Sequence, residues 1–220
     1  MATKGVEAVR KPKRLAGFKA AGRGALFAAG LLALAAPAHA QFSDGYKFLE
    51  AVKKKEGEKV EAALGEPGST VILSRDVSTG RGAVHIVTER RDITWLRYLV
   101  GKGADVNMRD DNGVTALQLA TGLGWVEGVE FLVARKADLD QSSDTGETPL
   151  ISAVHRRDTQ LMKLLLKGGA DPDRADNSGR SARDYAKLDS GGQLLAVIET
   201  NAAAKSAVRN AGAAVYGPTL

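Results

Sequence analysis

The sequence predicts an all-α repeat solenoid of about five helix-turn-helix units with hairpin-like turns. Two observations support this fold class: residues of one chemical type recur every 33 positions, and apolar residues within each unit recur three or four positions apart, as on one face of a helix. The 33-residue columns are Gly80, Gly113, Gly146 and Gly179; Thr115, Thr148 and Ser181; Ala104-Asp105, Ala137-Asp138 and Ala170-Asp171; and Leu99, Leu132, Leu165 and Ile198. Because these columns differ in chemistry and keep one register, they indicate a stack of similar units.

The stack is predicted to occupy residues 41–200, and its end units are degenerate. The predicted units are residues 42–76, 77–110, 111–143, 144–175 and 176–200. The first unit has the apolar spacing of two short helices but is three residues too long, because Ala51 and its counterpart Val87 lie 36 positions apart. Glu66–Ser69 is the predicted place for the extra residues. An end unit must cover the core on one side and meet water on the other, which favours such irregularity.

The third unit departs most from the pattern. Gly128 lies inside its predicted second helix, at a cost of about 1 kcal/mol relative to alanine, and Lys136 stands where the second and fourth units have glycine. Since Gly128 follows Trp95 by 33 residues, we expect it to leave room for the Trp95 indole. Trp125 starts the same helix, where a polar cap is usual. Its ring is either a packing element or a binding anchor.

Residues 1–40 predict a cleaved signal peptide. They hold seven of the 31 basic residues and one of the 26 acidic residues, which leaves 24 basic and 25 acidic residues in 41–220. An apolar run of about 13 residues, shorter than the roughly 20 of a membrane span, precedes the small residues Ala38 and Ala40. We therefore predict cleavage between Ala40 and Gln41, a periplasmic or secreted location, and no stable membrane insertion after cleavage. An uncleaved anchor or a plain basic tail is the alternative.

The remaining chain offers no pattern for catalysis. Its two histidines after the leader, His85 and His155, lie in different units, no catalytic motif is present, and the chain has no cysteine. Acidic residues in the turns, such as Asp171 and Asp173, are expected to stabilise those turns, because a calcium loop also needs a fifth-position oxygen ligand. We predict no enzyme activity, no cofactor and no metal. The near-neutral charge after the leader also predicts no nucleic acid partner.

The fourth unit carries the clearest motif. Thr148 suits a helix cap and Pro149 the first helical position. The fourth unit reads GETPLISA at 146–153 and LLKGGAD at 165–171. These two segments resemble the ankyrin repeat, whose hallmark is a G-x-T-P-L-H-x-A helix start followed by L-L-x-x-G-A-D. With the leader, the resemblance implies an exported, bacterial-type ankyrin repeat protein. The motif histidine is Gln118 in the third unit and Ile151 in the fourth, so bonding between neighbouring turns is open there.

The resemblance implies a non-catalytic module, monomeric by itself, that binds another protein. Its concave side, formed by turn tips and first helices, is the expected surface, and the mixed charges there favour a protein over a polyanion. The predicted partner-binding residues are Arg81, Glu89, Arg90, Asp111, Asn112, Val114, Leu123, Trp125, Asp144, Thr145, Glu147, His155, Arg156, Asn177, Ser178 and Arg180. Modulation or protection of an envelope protein is the predicted role, and a secreted effector acting on another cell's protein is the alternative.

Two features of the sequence, the arginine pairs and the C-terminal residues, each allow two interpretations. The arginine pairs Arg90-Arg91 and Arg156-Arg157 are expected to act as helix-end charges, with anion binding as the alternative. Residues 201–220 are alanine-rich and predict a flexible C-terminal tail. A docking motif at Val215–Pro218 is the alternative.

Overall fold

The computed structural model describes residues 36–201, with side chains from residue 44 onward. Within this range the chain forms paired helices with isolated bridges and no sheet, so the predicted all-α repeat solenoid is confirmed. The helices are α1 (Ala36–Lys54), α2 (Gly57–Gly65), α3 (Ala83–Glu89), α4 (Ile93–Gly101), α5 (Ala116–Gly122), α6 (Val126–Ala134), α7 (Pro149–His155), α8 (Thr159–Gly168), α9 (Ala182–Lys187) and α10 (193–201). A 3-10 turn covers Val71–Leu73.

The helices form two layers. The first helices of the units, α3, α5, α7 and α9, pack side by side, and the second helices α4, α6 and α8 pack behind them. Neighbouring helices approach more closely in the first layer than in the second, so the stack bends toward the first layer, which forms its concave side. The predicted apolar column Leu99, Leu132, Leu165 and Ile198 is fully buried between the layers.

Helix starts follow the predicted cap residues. Thr115, Thr148 and Ser181 each accept a hydrogen bond from the backbone N–H three residues ahead, which satisfies one of the free donors of a helix start. Asp92 and Asp158 cap the second helices in the same way. The helix boundaries therefore follow from short polar side chains that the sequence places 33 residues apart.

The three extra residues of the first unit lie in two places. Eleven positions separate the end of α2 at Gly65 from Asp76, whereas nine separate the end of α4 at Gly101 from the equivalent Asp110, so two extra residues lie between 66 and 75. The third extra residue lengthens the hairpin that follows Asp76, where Val77 is 88% exposed. The expectation that Glu66–Ser69 holds all three is wrong, because a hairpin tip also accepts an insertion.

Gly128 leaves room for a different indole from the one expected. A Cβ on Gly128 would lie 2.1 Å from Cε3 of Trp125, so the expectation that Gly128 serves Trp95 is wrong. Trp95 is half-buried, with Tyr98 edge-on to its ring and the Arg90 guanidinium 5.3 Å from the ring centroid. The space beside Gly128 is filled by Trp125, three positions earlier at the N-cap of the same helix.

The N-terminal boundary of the described structure bears on two expectations. Helix α1 begins at Ala36 and continues through the Ala40–Gln41 bond, the predicted cleavage position. None of the helices in residues 36–201 combines the length and apolar content that a membrane span requires. The predicted tail lies outside the described residues, except for Asn201, which is helical.

Candidate partner-binding surface

Three columns of residues lie along the concave side, and two of their members, Ile86 and Tyr185, also pack against the core. One column lies on the hairpin segment that returns to each first helix, and two lie on the outer surface of the first helices, one turn apart. All of these residues are half-buried or exposed. The columns, which we call the concave face, are Arg81, Val114, Glu147 and Arg180; Ile86, Leu119, Ser152 and Tyr185; and Glu89, Gly122, His155 and Leu188.

Polar contacts connect the hairpin column to the helix column. Arg81 Nη1 forms an ion pair with Glu89, 3.3 Å from its Oε1, and in the fourth unit Glu147 Oε1 lies 3.6 Å from Nδ1 of His155. The carboxylate lies on the helix in the second unit and on the hairpin in the fourth. In the third unit the two positions are Val114 and a glycine, so the middle of the concave face is apolar and has no equivalent pair.

An aromatic cluster occupies the fifth-unit end of the concave face. The rings of His155 and Tyr185 meet edge to face, with centroids 4.5 Å apart, and the Arg180 guanidinium lies 5.9 Å from the Tyr185 centroid. The Tyr185 hydroxyl donates to Asp176 at 2.6 Å, and this bond, followed by the one from the Ser178 hydroxyl, holds the pKa of Asp176 below its ordinary value. Tyr185 is thus held in place, as suits an anchor residue.

The hairpin tips are joined by backbone hydrogen bonds from one unit to the next. Asp111 N–H donates to the Thr79 carbonyl at 3.0 Å, and Asp144 N–H donates to the Asn112 carbonyl at 2.9 Å. In the fifth unit, Asn177 N–H donates to the Thr145 carbonyl at 3.2 Å. The side chains of the predicted tip residues remain exposed at every step: Asp111, Asn112, Asp144, Thr145, Asn177 and Ser178. They form a row along the rim of the concave face.

Two predicted partner-binding arginines are used inside the stack. Arg90 Nη1 donates to the Val52 carbonyl at 2.5 Å, and Arg156 Nη1 donates to the Gly122 carbonyl at 2.9 Å. Each satisfies a carbonyl at the end of the preceding unit's first helix, where acceptors lack partners and the dipole favours a cation. The neighbouring arginines point the other way: Arg91 donates to the Leu123 carbonyl at 2.7 Å. The predicted role as helix-end charges is confirmed for Arg90, Arg91 and Arg156, whereas Arg157 pairs with Asp189.

Trp125 lies in the core. It is 8% exposed, stands at the N-cap of α6 without a capping bond, and packs on the site of the missing Gly128 side chain. Of its two interpretations, this geometry favours packing, because the ring presents little surface to a partner. Leu123, another predicted partner-binding residue, is half-buried beside it in sequence and packs against the core.

The buried column beneath the concave face ties neighbouring hairpins together. His85 Nδ1 accepts from Gly82 N–H at 3.2 Å, and Nε2 meets the carbonyl of Val114 in the next unit at 3.0 Å. Gln118 makes both bonds in the third unit, since its Oε1 accepts from Thr115 N–H at 2.9 Å and its Nε2 donates to the Glu147 carbonyl at 2.6 Å. Bonding between turns therefore survives the replacement of histidine by glutamine there.

The turn acids behave as predicted. Asp105, Asp138 and Asp171 each accept a hydrogen bond from the backbone N–H two residues ahead, at 2.8, 3.0 and 2.9 Å. This is the usual way in which an aspartate stabilises a turn. Within residues 36–201 no three acidic or histidine side chains are grouped as ligands for a metal.

Six residues of the concave face are missing from the sequence prediction: Ile86, Leu119, Ser152, Tyr185, Gly122 and Leu188. The first four form a 33-residue column immediately after the buried His85 column, so the repeat register could have identified them. Apolar members such as Ile86 and Leu119 look like core residues in a helical pattern. Only the curvature of the stack reveals that their column lies outside.

Comparison with known families gives one consistent result. Residues 48–143 match the family described as ankyrin repeats (3 copies), and residues 131–186 match the family described as ankyrin repeats (many copies). The two matches overlap and together cover 48–186. Among curated proteins, none matches this chain.

Proposed function

Because the chain belongs to the ankyrin repeat family, whose repeats are generally non-catalytic protein–protein interaction modules, we propose that it is an exported module that binds one protein partner. The binding surface is the concave face together with the hairpin tips. The partner is a protein of the cell envelope that the module modulates or protects.

The arrangement of the concave face carries this proposal. It combines an apolar centre at Ile86, Val114 and Leu119 with charged residues at both sides and a fixed aromatic residue, Tyr185, at one end. Protein interfaces commonly combine an apolar centre with a polar rim and place affinity in a few aromatic residues. The mixture of both charge signs fits a protein surface better than a polyanion.

Two tyrosines provide a matched test of the surface. Tyr185 lies on the concave face and Tyr98 lies on α4 in the second layer, and both are half-buried. The two alanine variants and the unmodified chain serve as baits for affinity capture from the exported fraction of the producing cell. Tyr185→Ala should weaken capture of the partner about 30-fold, as expected for an anchor residue. Tyr98→Ala should leave capture unchanged.

Either of two outcomes contradicts the proposed surface. One is equal capture by Tyr185→Ala and the unmodified chain, with both folded by circular dichroism. The other is loss of capture in Tyr98→Ala alone, which would place the partner on the second layer.

Export is supported by the leader pattern, in which a cationic segment and an apolar run precede Ala38 and Ala40. The test is the intact mass of the native protein after cell fractionation. A periplasmic chain that begins at Gln41 supports the proposed role at the envelope. The same chain in the culture medium would favour the alternative, a secreted effector acting on another cell's protein. A cytoplasmic chain that retains residues 1–40 rules out both.

A further inference from the structure

An open groove lies at the N-terminal end of the stack, away from the concave face. Helix α1 and residues 66–77 enclose about 640 Å³, a volume typical of binding sites. Leu49 and Val71 line it from the core side. Four large apolar side chains are exposed in the described part of the chain, and three of them line this groove: Tyr46 at 64%, Leu73 at 52% and Val77 at 88%.

The features that break the 33-residue register are the ones that build this groove. The two extra residues between 66 and 75 lengthen one wall, and the third places Val77 at its edge. The other wall is an extension of α1, which has 19 residues where α3 has seven. The walls meet closely, because a Cβ on Gly45 would lie 2.6 Å from Oγ of Ser74. Insertions in repeat proteins are often placed on binding surfaces.

The apolar rim is not what an end unit needs for stability. An end unit of a solenoid is expected to present polar residues to water, and a group of exposed apolar side chains usually marks a contact surface. The lining also contains three carboxylates, Asp44, Glu66 and Asp76, and one guanidinium. That guanidinium, on Arg75, donates to the carbonyls of Gly80 and Arg109 in the hairpins, at 3.0 and 2.7 Å.

The lysines near the groove belong to its outer edge. Lys47 pairs with Asp44 at 3.2 Å and Lys53 pairs with Asp76 at 3.4 Å, and neither lysine lines the groove. Among the lining residues themselves, beside the apolar ones, carboxylates outnumber cations by three to one, and the lysines at the edge balance two of the three. The chemistry that fits the groove is a segment with small or apolar side chains, a few cations and no carboxylate.

The chain itself contains such a segment. We propose that the groove binds residues 202–220 of a second copy of the chain. This segment lies outside the described residues; it has two cations, Lys205 and Arg209, and no acidic residue. Its apolar residues include Val208, Val215 and Tyr216. The charge and the apolar content therefore complement the groove.

The distance from α10 to the groove favours binding of the segment from a second copy over binding within the same molecule. Helix α10 lies four units from the groove, which is about 32 to 40 Å at the usual 8–10 Å between packed helices. The fifteen residues from Asn201 to Tyr216 have an end-to-end distance of about 20 Å as a flexible chain and about 50 Å when fully extended. Binding within one molecule would require the segment to stretch to well over its flexible-chain length, whereas a second copy meets no such limit.

The resulting contact joins the N-terminal groove of one copy to the C-terminal segment of another. Such a head-to-tail contact is heterologous and builds rings or open chains of copies, so association grows with concentration. This goes beyond the monomeric state expected from the sequence, and it uses a surface separate from the concave face.

Disulfide trapping tests the contact directly, because the chain has no cysteine of its own. The full-length variants Val77→Cys, Leu188→Cys and Tyr216→Cys are made separately, and Tyr216→Cys is mixed with each of the others under mild oxidation. Val77→Cys should form mixed dimers with Tyr216→Cys at least tenfold faster than Leu188→Cys does, although both partners are exposed positions. Equal rates for the two mixtures would overturn the proposal.

A chain carrying both Val77→Cys and Tyr216→Cys separates the two sources of the segment. Covalent dimers and larger species are expected from it at high concentration. A monomer closed on itself at every concentration would show that the segment binds its own chain, which contradicts the proposal.

Sedimentation of the otherwise unmodified full chain gives an independent readout. Leu73→Asp should weaken self-association about tenfold or more, since it removes one apolar contact and adds a carboxylate to the groove. Thr94→Asp, at an exposed position of α4 outside the groove and the concave face, is the control and should leave association unchanged. Equal effects of the two substitutions, or no association in the unmodified chain, would overturn the proposal.

Discussion

Nε2 of His85 lies 3.0 Å from the carbonyl oxygen of Val114, and this contact joins two units whose residues are 29 positions apart. The other ring nitrogen, Nδ1, accepts from the Gly82 N–H. The proton must therefore be on Nε2, which donates to Val114. The imidazole is fully buried and must stay neutral to keep both bonds.

The first prediction is a loss of stability in mild acid that depends on His85. Burial is the largest cause that lowers the pKa of His85 below its ordinary value of 6.5. As the pH falls below 6.5, the unfolded chain therefore binds the proton before the folded chain does. Stability is complete above 6.5 and declines below it, by at most about 1.4 kcal/mol per pH unit for one proton.

Urea unfolding between pH 8 and pH 5 measures this decline. His85→Gln should reduce the slope, because Gln118 shows that an amide makes the same two bonds without titrating in this range. An unchanged slope in His85→Gln would contradict the assignment.

The second prediction compares two hairpin glycines with the same backbone conformation. Gly146 has φ +82° and Gly179 has φ +78°, so alanine costs about 1–2 kcal/mol of strain at either position. At Gly146 the new Cβ would also lie 2.4 Å from the backbone nitrogen of Asn177, whereas at Gly179 nothing lies within 4 Å. Gly146→Ala should therefore destabilise more, by a further 1 to 3 kcal/mol or so.

Thermal or urea unfolding of both variants gives the difference. Since the strain is common to both, the difference reports the close approach of the fifth-unit hairpin. Equal losses of stability would mean that the hairpins do not pack this tightly.

The third prediction concerns Gly128 and Trp125. Alanine normally stabilises a helix by about 1 kcal/mol relative to glycine, but here the Cβ would overlap the indole at 2.1 Å. Gly128→Ala should lower the free energy of unfolding by about 1–2 kcal/mol. Gly101→Ala at the end of α4, where a Cβ meets nothing within 4 Å, should be neutral or stabilising.

A second substitution checks the cause. Trp125→Ala removes the indole and should itself cost about 3–5 kcal/mol, because it empties a buried site. In that background Gly128→Ala should no longer destabilise, since there is no ring for the new Cβ to overlap. Stabilisation by Gly128→Ala alone, equal to that of Gly101→Ala, would contradict the packing described for the indole.

The fourth prediction is a stabilising substitution at Lys136. This residue has φ +63° at a turn where Gly103 and Gly169 have φ +94° and +112°. Lys136→Gly should raise the free energy of unfolding by about 0.5–1 kcal/mol, because it relieves the left-handed strain. Lys102→Gly, at φ −87°, should instead destabilise. A loss of stability in both variants would show that Lys136 is not strained.

Much of the fold follows from the sequence because cap residues, turn glycines and apolar columns repeat at one interval. Thr148, Asp158 and Gly169 define the ends of α7 and α8 by local chemistry alone. The overlap of Gly128 with Trp125 rather than Trp95 could not be predicted, because it depends on a side-chain rotamer. The position of the third extra residue, at Val77, depends on how the hairpin closes.

The candidate site was predicted only in part, for a geometrical reason. The hairpin tips are exposed wherever the register places them, so Asp111 and Asp144 follow from spacing. Whether an apolar residue such as Ile86 faces the core or the concave side depends on the curvature of the helix layers. Arg90 is half-buried and Arg156 exposed, and each bonds a carbonyl of the preceding unit, which the sequence does not reveal.

Hydrogen exchange on the complex with the captured partner tests the central claim most directly. We predict that the partner slows exchange in residues 81–89, 114–122, 147–155 and 180–188, which carry the concave face, and leaves α4, α6 and α8 unchanged. Slower exchange confined to α4, α6 and α8 would contradict the account, because the partner would then bind the second layer.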